Sequence, residues 1–301
     1  MHILMKFSIV IPSYQQGRFI ENTIQSVLAQ NVDKEIFVQD GGSTDDTIRI
    51  LEKFKNSITW ESRPDGGQTC AINAGLKKAE GDIFTYLNSD DVLLPGALEK
   101  MQEIFSTNPD VDFAYGMANL IDPNDTYISD YPTCPFDYHE LLRTCFICQP
   151  ACMFRKKAYE RLGPFDEKLD YCMDYEYWLR AGKSSRFYYI ETKIACSRYH
   201  PEAKTIKYPL PVIEEILDML ADYAVPHPDF IWIRSYLNNY FRSKTSDGQN
   251  AFVNFSIRYI LKLLEIRKKN SLTFKETLWL LSKLFPTYKV ICKRRPPPVT
   301  F

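Results

Sequence analysis

The chain has 301 residues, 45% of them hydrophobic and 25% charged, with a formal net charge of -1. That length and balance fit one large α/β domain, alone or with an appendage, and the near-neutral charge excludes a general attraction to polyanions, so no nucleic-acid partner is expected. No charged-then-apolar leader opens the sequence, and no uninterrupted apolar segment reaches the roughly 20 residues that a membrane span requires, which predicts a cytoplasmic location. Eight cysteines follow no regular spacing. Their one close group, Cys145, Cys148 and Cys152, lacks a second CxxC and a histidine at zinc-finger spacing, so reduced, partly buried thiols are expected.

Along the first half, short apolar runs alternate with amphipathic stretches. FSIVIPS (7–13), EIFVQD (35–40), SITWES (57–62), GDIFTYL (81–87) and VDFAYG (111–116) have the length and composition of strands. RFIENTIQSVLAQ, DDTIRILEKFK, GQTCAINAGLKKA and PGALEKMQEIFS between them carry helical periodicity, the last opened by Pro95 near its first turn. This rhythm predicts right-handed βαβ units and a mainly parallel sheet flanked by helices. A long loop is expected from about 122 to 150, followed by a strand passing into a short helix in ACMFRKKAYERLG, and then by FDEKLDYCMDYEYWLRAG. From about residue 209 onward the spacing is helical, which divides the chain into a domain over 1–208 and a helical C-terminal region over 209–301.

In open α/β sheets ligands bind beyond the carboxyl ends of the strands. The polar residues collect there: PSY after the first strand, DGGSTDD after the second, RPDGG after the third and NSDD after the fourth. Independent solvated turns would have no need of a carboxylate at three successive strand ends. One shared crevice does.

FSIVIPSYQQGRFIENTIQSVLAQ, VQDGGSTDDT, GQTCAINAGLKKAEGDIFTYLNSDD and DYEYWLR, in this order and spacing over roughly residues 6–205, resemble the inverting family 2 glycosyltransferases, whose fold is the Rossmann-like GT-A architecture. The resemblance implies a nucleotide diphosphate sugar, UDP-linked by preference, as donor, a glycan or lipid-linked saccharide as acceptor, and a divalent ion, Mn2+ or Mg2+, as cofactor. It further implies a role in cell-surface polysaccharide assembly.

Asp40 ends the second strand, and a carboxylate there can accept a hydrogen bond from a base imide N–H; the matching family residue reads uracil. Pro12, Ser13 and Tyr14 match the loop under the base. Asp65, Gly67, Gln68 and Asn73 occupy the stretch where relatives contact the nucleotide or hold the loop beside it. Many relatives carry a basic residue at the start of this helix, whereas this chain has Gln68 and Thr69. The helix N-terminus still favours an anion, and Arg63 is a candidate substitute.

A leaving diphosphate develops negative charge, which a hard divalent ion held by carboxylates neutralises. Asp90 and Asp91 are the acidic pair for that ion, with Asp90 expected as direct ligand and Asp91 supporting. The family pattern is usually Asp-x-Asp; here its first position is Asn88, which with Ser89 is assigned to the nucleotide. His200 matches a histidine that completes the metal shell in many GT-A enzymes, and Lys204 is a candidate for the diphosphate.

Inversion requires a carboxylate to take the proton of the attacking hydroxyl. Asp174, in MDYEYWLR, matches the family's catalytic base, with Glu176 in reserve. Trp178 and Leu179 are expected in the core and Arg180 in an ion pair. Gln149 and Pro150 match a segment near the acceptor.

Between Ser256 and Phe301, eleven lysines and arginines face two glutamates, a balance of about nine positive charges. Interleaved with apolar residues, they fit either peripheral contact with anionic lipid at the inner face of the plasma membrane or an amphipathic helix packed on protein. Two competing functions stand beside the leading one. A non-catalytic nucleotide-sugar-binding relative is kept open by Asn88. A sugar nucleotidyltransferase would want a basic Gly-rich phosphate loop, which PSYQQGRF matches poorly.

Overall fold

The structure is a computed structural model that describes residues 5–223. The basic tail and the helical patterns expected beyond 223 lie outside the described residues. The chain divides into two compact units, Met1–Lys207 and Tyr208–Phe301.

The first unit begins as the periodicity predicts. Strands β1 (Phe7–Ser13), β2 (Lys34–Asp40), β3 (Thr59–Ser62) and β4 (Ile83–Tyr86) alternate with helices α1 (Ile20–Leu28), α2 (Thr47–Lys53) and α3 (Gln68–Lys78). β2, β3 and β4 each join in parallel, β2 and β4 on either side of β1 and β3 outside β2. Every residue of β1 is buried, which suits a strand covered on both faces. On α1, Ile20, Thr23, Ile24 and Val27 form the buried stripe, at the spacing of one helical face. Each such aliphatic side chain, fully buried, contributes about 1.5–3 kcal/mol. α3 comes closest to the sheet at Gly75, where a Cβ would sit 2.5 Å from Val10 Cγ1.

The second half of the unit departs from simple alternation. After the two-residue β5 (Val92–Leu93) and α4 (Ala97–Thr107) come β6 (Phe113–Ile121), β7 (Tyr127–Asp130), α5 (Tyr138–Leu141), β8 (Cys152–Arg155), α6 (Lys156–Leu162), α7 (Met173–Gly182), β9 (Phe187–Arg198) and α8 (Lys204–Lys207). The sheet runs β3-β2-β1-β4-β8-β6-β9-β5, with β7 beside β6. β8 is antiparallel to both β4 and β6, whereas β9 is parallel to β6. The segment expected as a long loop holds β7, which pairs with the end of β6, and the short α5.

In the second unit the described helix is α9 (Pro209–Asp222), whose buried residues Val212, Ile213, Ile216, Leu217, Met219 and Leu220 recur at helical spacing. Among the described residues no helix is long and apolar enough to cross a membrane.

Candidate active site

The parallel strands β1 to β4 end at one edge, and their loops are tied to one another by specific bonds. Gly41 N–H donates to Ser13 C=O at 2.8 Å. Gln15, at φ 56°, donates its main-chain N–H to Ser43 Oγ at 2.7 Å, and its side chain bonds both the Thr44 hydroxyl and the Asp45 N–H. Asp45 accepts from Gly17 N–H at 2.8 Å and from Thr47 N–H at 3.0 Å, so it joins the β1 loop to the start of α2.

Asp40 is buried at this edge, and its carboxylate accepts four hydrogen bonds: from Gly42 N–H at 3.1 Å, Ser43 N–H at 2.8 Å, Ser43 Oγ at 2.6 Å and Ser62 Oγ at 2.6 Å. Its oxygens are thus committed to shaping the β2 loop and fastening it to the end of β3. Asp65 is different. It is exposed, its Oδ1 accepts the Gly67 N–H at 2.8 Å, and it stands with Tyr14 beside Gly41: a Cβ on Gly41 would stand 3.3 Å from Tyr14 Cδ2 and 3.4 Å from Asp65 Oδ1. Tyr14 is itself 61% exposed. An exposed aromatic ring and a carboxylate thus stand beside a residue without a side chain. Pro12 and Ser13 are buried behind it, and Ser13 Oγ has no hydrogen-bond partner.

At the end of β4 an amide chain links three loops. Gln68 Nε2 donates to Asn88 Oδ1 at 2.7 Å, Asn88 Nδ2 donates to Asp91 Oδ2 at 3.3 Å, and Gln149 Nε2 donates to Tyr86 C=O at 2.7 Å. Asn73 lies apart from this chain: it is buried and bonds both the C=O and the N–H of Phe165, holding the segment before α7. Ser89 is buried, and its C=O accepts from the Thr23 hydroxyl of α1 at 3.0 Å. Pro150, in the turn before β8, is buried.

The two adjacent carboxylates point to different partners. Asp91 is buried; its Oδ1 accepts the Arg198 main-chain N–H at 2.8 Å and its Oδ2 the Asn88 amide. Burial and then the neighbouring Asp90 charge push the Asp91 carboxyl upward from its ordinary range. Asp90 Oδ2 instead meets His200 Nε2 at 2.8 Å, while His200 Nδ1 meets Glu202 at 3.2 Å. The Asp90 bond raises the imidazole's pKa, burial opposes it, and Glu202 adds to the rise. The His200 ring packs 5.0 Å from Phe19, the residue just before α1.

Among the described residues no three His, Cys, Asp or Glu side chains gather at metal-ligand spacing. Asp90 and His200 supply a carboxylate and an imidazole 2.8 Å apart, groups of the kinds that ligate divalent ions. The remaining positions of such an ion would fall to diphosphate and water. Lys204 turns elsewhere, bonding Asp170 C=O at 3.1 Å, and Arg63 pairs with Glu61 at 3.4 Å.

Asp174 sits in the first turn of α7, half-buried, and accepts the N–H of Tyr175 at 2.7 Å. It shares a neighbourhood with the β4 end: after burial, the charges of Asp174 and Asp91 both raise the pKa of the Tyr86 hydroxyl and of the Cys148 thiol. Glu176, the reserve base, is held by Arg180 through two bonds of 3.0 and 2.8 Å, while Arg180 also donates to Leu162 C=O. The thiols of Cys145, Cys148 and Cys152 are free and pushed well above their ordinary range by burial.

Sequence reasoning missed Gln15, Phe19, Thr23 and Arg198, all of which organise this edge. The one signal for them was Arg198 itself, a charged residue ending an apolar run in IACSR.

The parallel α/β edge thus carries an exposed aromatic, an acidic loop after β4 and a helix-borne carboxylate on α7, on a fold of the GT-A type. Residues 8–163 match the family described as "Glycosyl transferase family 2", to which this chain belongs. It is 31% identical over 235 residues to an uncharacterised glycosyltransferase of Rickettsia prowazekii, covering 72% of this chain and 70% of that protein. It is 29% identical over 211 residues to the chondroitin synthase of Pasteurella multocida, where the match takes in 68% of this chain and 22% of the synthase. The fold is that of S. aureus TarS 1-349 in complex with UDP-GlcNAc, with a TM-score of 0.62, 17% identity, and coverage of 95% of this chain and 90% of that one.

Proposed function

We propose that this protein moves a sugar from a nucleotide diphosphate donor, a UDP-sugar, to a hydroxyl of a glycan or lipid-linked acceptor, with inversion at the anomeric carbon. The observation that carries this reading is the Asp90–His200 pair, a carboxylate oxygen and an imidazole nitrogen 2.8 Å apart at the end of β4. The similarity to chondroitin synthase and to TarS with UDP-GlcNAc supports a sugar-nucleotide donor and a glycan acceptor.

In this reading the uracil ring lies on Tyr14, and Asp65 accepts its imide N–H. Asp40 contributes by fixing the loop that holds Gly41 in place. Gln68 and Asn88 orient the ribose and diphosphate side of the donor, aided by the N-terminus of α3. Asp90 and His200 would hold a Mn2+ or Mg2+ ion, which would supply charge neutralisation on the diphosphate. Asp174 takes the proton from the acceptor hydroxyl as that oxygen attacks the anomeric carbon from the face opposite the diphosphate.

The test is incubation with a panel of UDP-sugars and oligosaccharide acceptors, followed by UDP release and by NMR of the product's anomeric configuration. Inverted product supports the reading. Retained configuration would remove Asp174 from its role, and absence of transfer and of hydrolysis with every donor would favour a nucleotide-sugar-binding relative without catalysis.

A further inference from the structure

Arg198 ends β9, and its side chain is 1% exposed. Its guanidinium makes three bonds: Nε donates to Asp90 C=O at 2.7 Å, one terminal nitrogen to Asp122 C=O at 2.9 Å, and the other to Asp125 Oδ1 at 2.6 Å. The same plane lies over the Phe19 ring, 4.9 Å from its centre. With the main-chain N–H of this residue on Asp91, a single arginine grips the acidic loop at both of its carboxylate residues.

The far end of the grip is the turn between β6 and β7. Asp122 Oδ1 accepts from Asn124 N–H at 2.7 Å and Thr126 N–H at 2.9 Å, which closes the turn. Asp125 stands in it at φ 65°, a backbone region that costs most side chains free energy and that glycine occupies readily. An aspartate there makes sense through its carboxylate, which receives Arg198 on Oδ1 and the Asn22 amide of α1 on Oδ2 at 3.4 Å. Asp125 is 53% exposed in its side chain, so the buried guanidinium has its counter-charge at the surface.

We propose that Arg198 and Asp125 act as a positioning pair that sets the acidic loop from the β6–β7 turn. Arg198 holds the main chain of Asp90 and the side chain of Asp91 in the orientation needed for the donor, and Asp125 holds Arg198. A lysine cannot replace this arginine, because its single ammonium cannot reach three acceptors spread around a planar fork. The assignment rests on the donor-binding role given to Asp90 above, and its test separates the two.

The first variant is Asp125→Gly, which removes the carboxylate at a backbone angle glycine tolerates. Hydrogen exchange, measured without any ligand, reads the Asp91 N–H, which donates to Asn88 C=O, and the Arg198 N–H on Asp91. Both are expected to exchange about tenfold faster, with β1 amides unchanged. Donor KM is expected to rise about tenfold with kcat little changed, the lower end of what an outer partner of a binding residue contributes. Arg198→Lys should reproduce both effects, and the double variant should be no worse than Arg198→Lys alone. Unchanged exchange in the acidic loop, or additive effects in the double variant, overturns the proposal. If exchange responds while the wild-type protein binds no nucleotide, the positioning pair stands and the transferase reading falls.

Discussion

His200 Nε2 lies 2.8 Å from Asp90 Oδ2, joining the loop after β4 to the segment after β9 across 110 residues of sequence. The neighbouring Asp91 looks inward, to Arg198 and Asn88. Two adjacent aspartates thus divide the work: Asp90 is paired with an imidazole, and Asp91 locks the loop. Replacing Asp90 with alanine is expected to lower metal-dependent UDP affinity by tenfold or more while leaving metal-free binding nearly unchanged. His200→Gln should do the same, and titration calorimetry with and without Mn2+ checks both.

Asp174→Asn keeps the size of the side chain and removes the proton acceptor. Transfer is expected to fall by about 10²–10⁴-fold with UDP affinity preserved. Glu176→Gln provides the contrast, because it loosens the pair with Arg180 and should lower thermal stability more than it lowers kcat. Steady-state kinetics beside thermal melts distinguishes the two carboxylates.

Asp40 and Asp65 are expected to separate in the same manner. Asp40→Asn removes the negative charge that two main-chain N–H groups and two serine hydroxyls stabilise, which costs about 1–3 kcal/mol. Asp65→Asn should leave the melting temperature alone and weaken uridine nucleotides. Differential scanning fluorimetry with a UDP titration resolves them.

Glu35 supplies a pH-dependent element remote from the site. Burial alone would raise its pKa, but hydrogen bonds from Lys6, Ser8 and the Glu80 N–H bring it below the ordinary value. A depressed folded-state pKa contributes stability that is present above the unfolded value, near 4.5, and is lost as pH falls through the folded value. Glu35→Gln is therefore expected to cost about 1–2 kcal/mol at pH 7, with the gap to wild type closing as the pH falls below 4.5 and through the lower folded-state value. Urea melts at several pH values provide the check.

Much of this site is legible in the sequence because it depends on local features. The alternation of FSIVIPS, EIFVQD and DIFTYL with amphipathic stretches placed PSY, DGG and NSDD at strand ends, and the parallel sheet then required those ends to share an edge. β9 escaped because its middle, Glu191, Thr192 and Lys193, is exposed and interrupts the apolar pattern. The reversal of β8 between β4 and β6 escaped as well, since a strand of four residues carries no mark of its direction. Asp40 is legible as a strand-end carboxylate, whereas its tie to Ser62, 22 residues on, exists only once the ends of β2 and β3 come together. Arg198 is the clearest such case, since every group it binds is more than 70 residues away.

The most direct measurement is calorimetric titration of the full chain with UDP, using dTDP and GDP as comparators, first in Mn2+ and then in EDTA. UDP bound in preference to GDP, and weakened when the metal is removed, is the result predicted from Tyr14 and Asp65 beside Gly41 and from the Asp90–His200 pair. Failure to bind any of the three nucleotides under either condition would contradict a donor site at this edge.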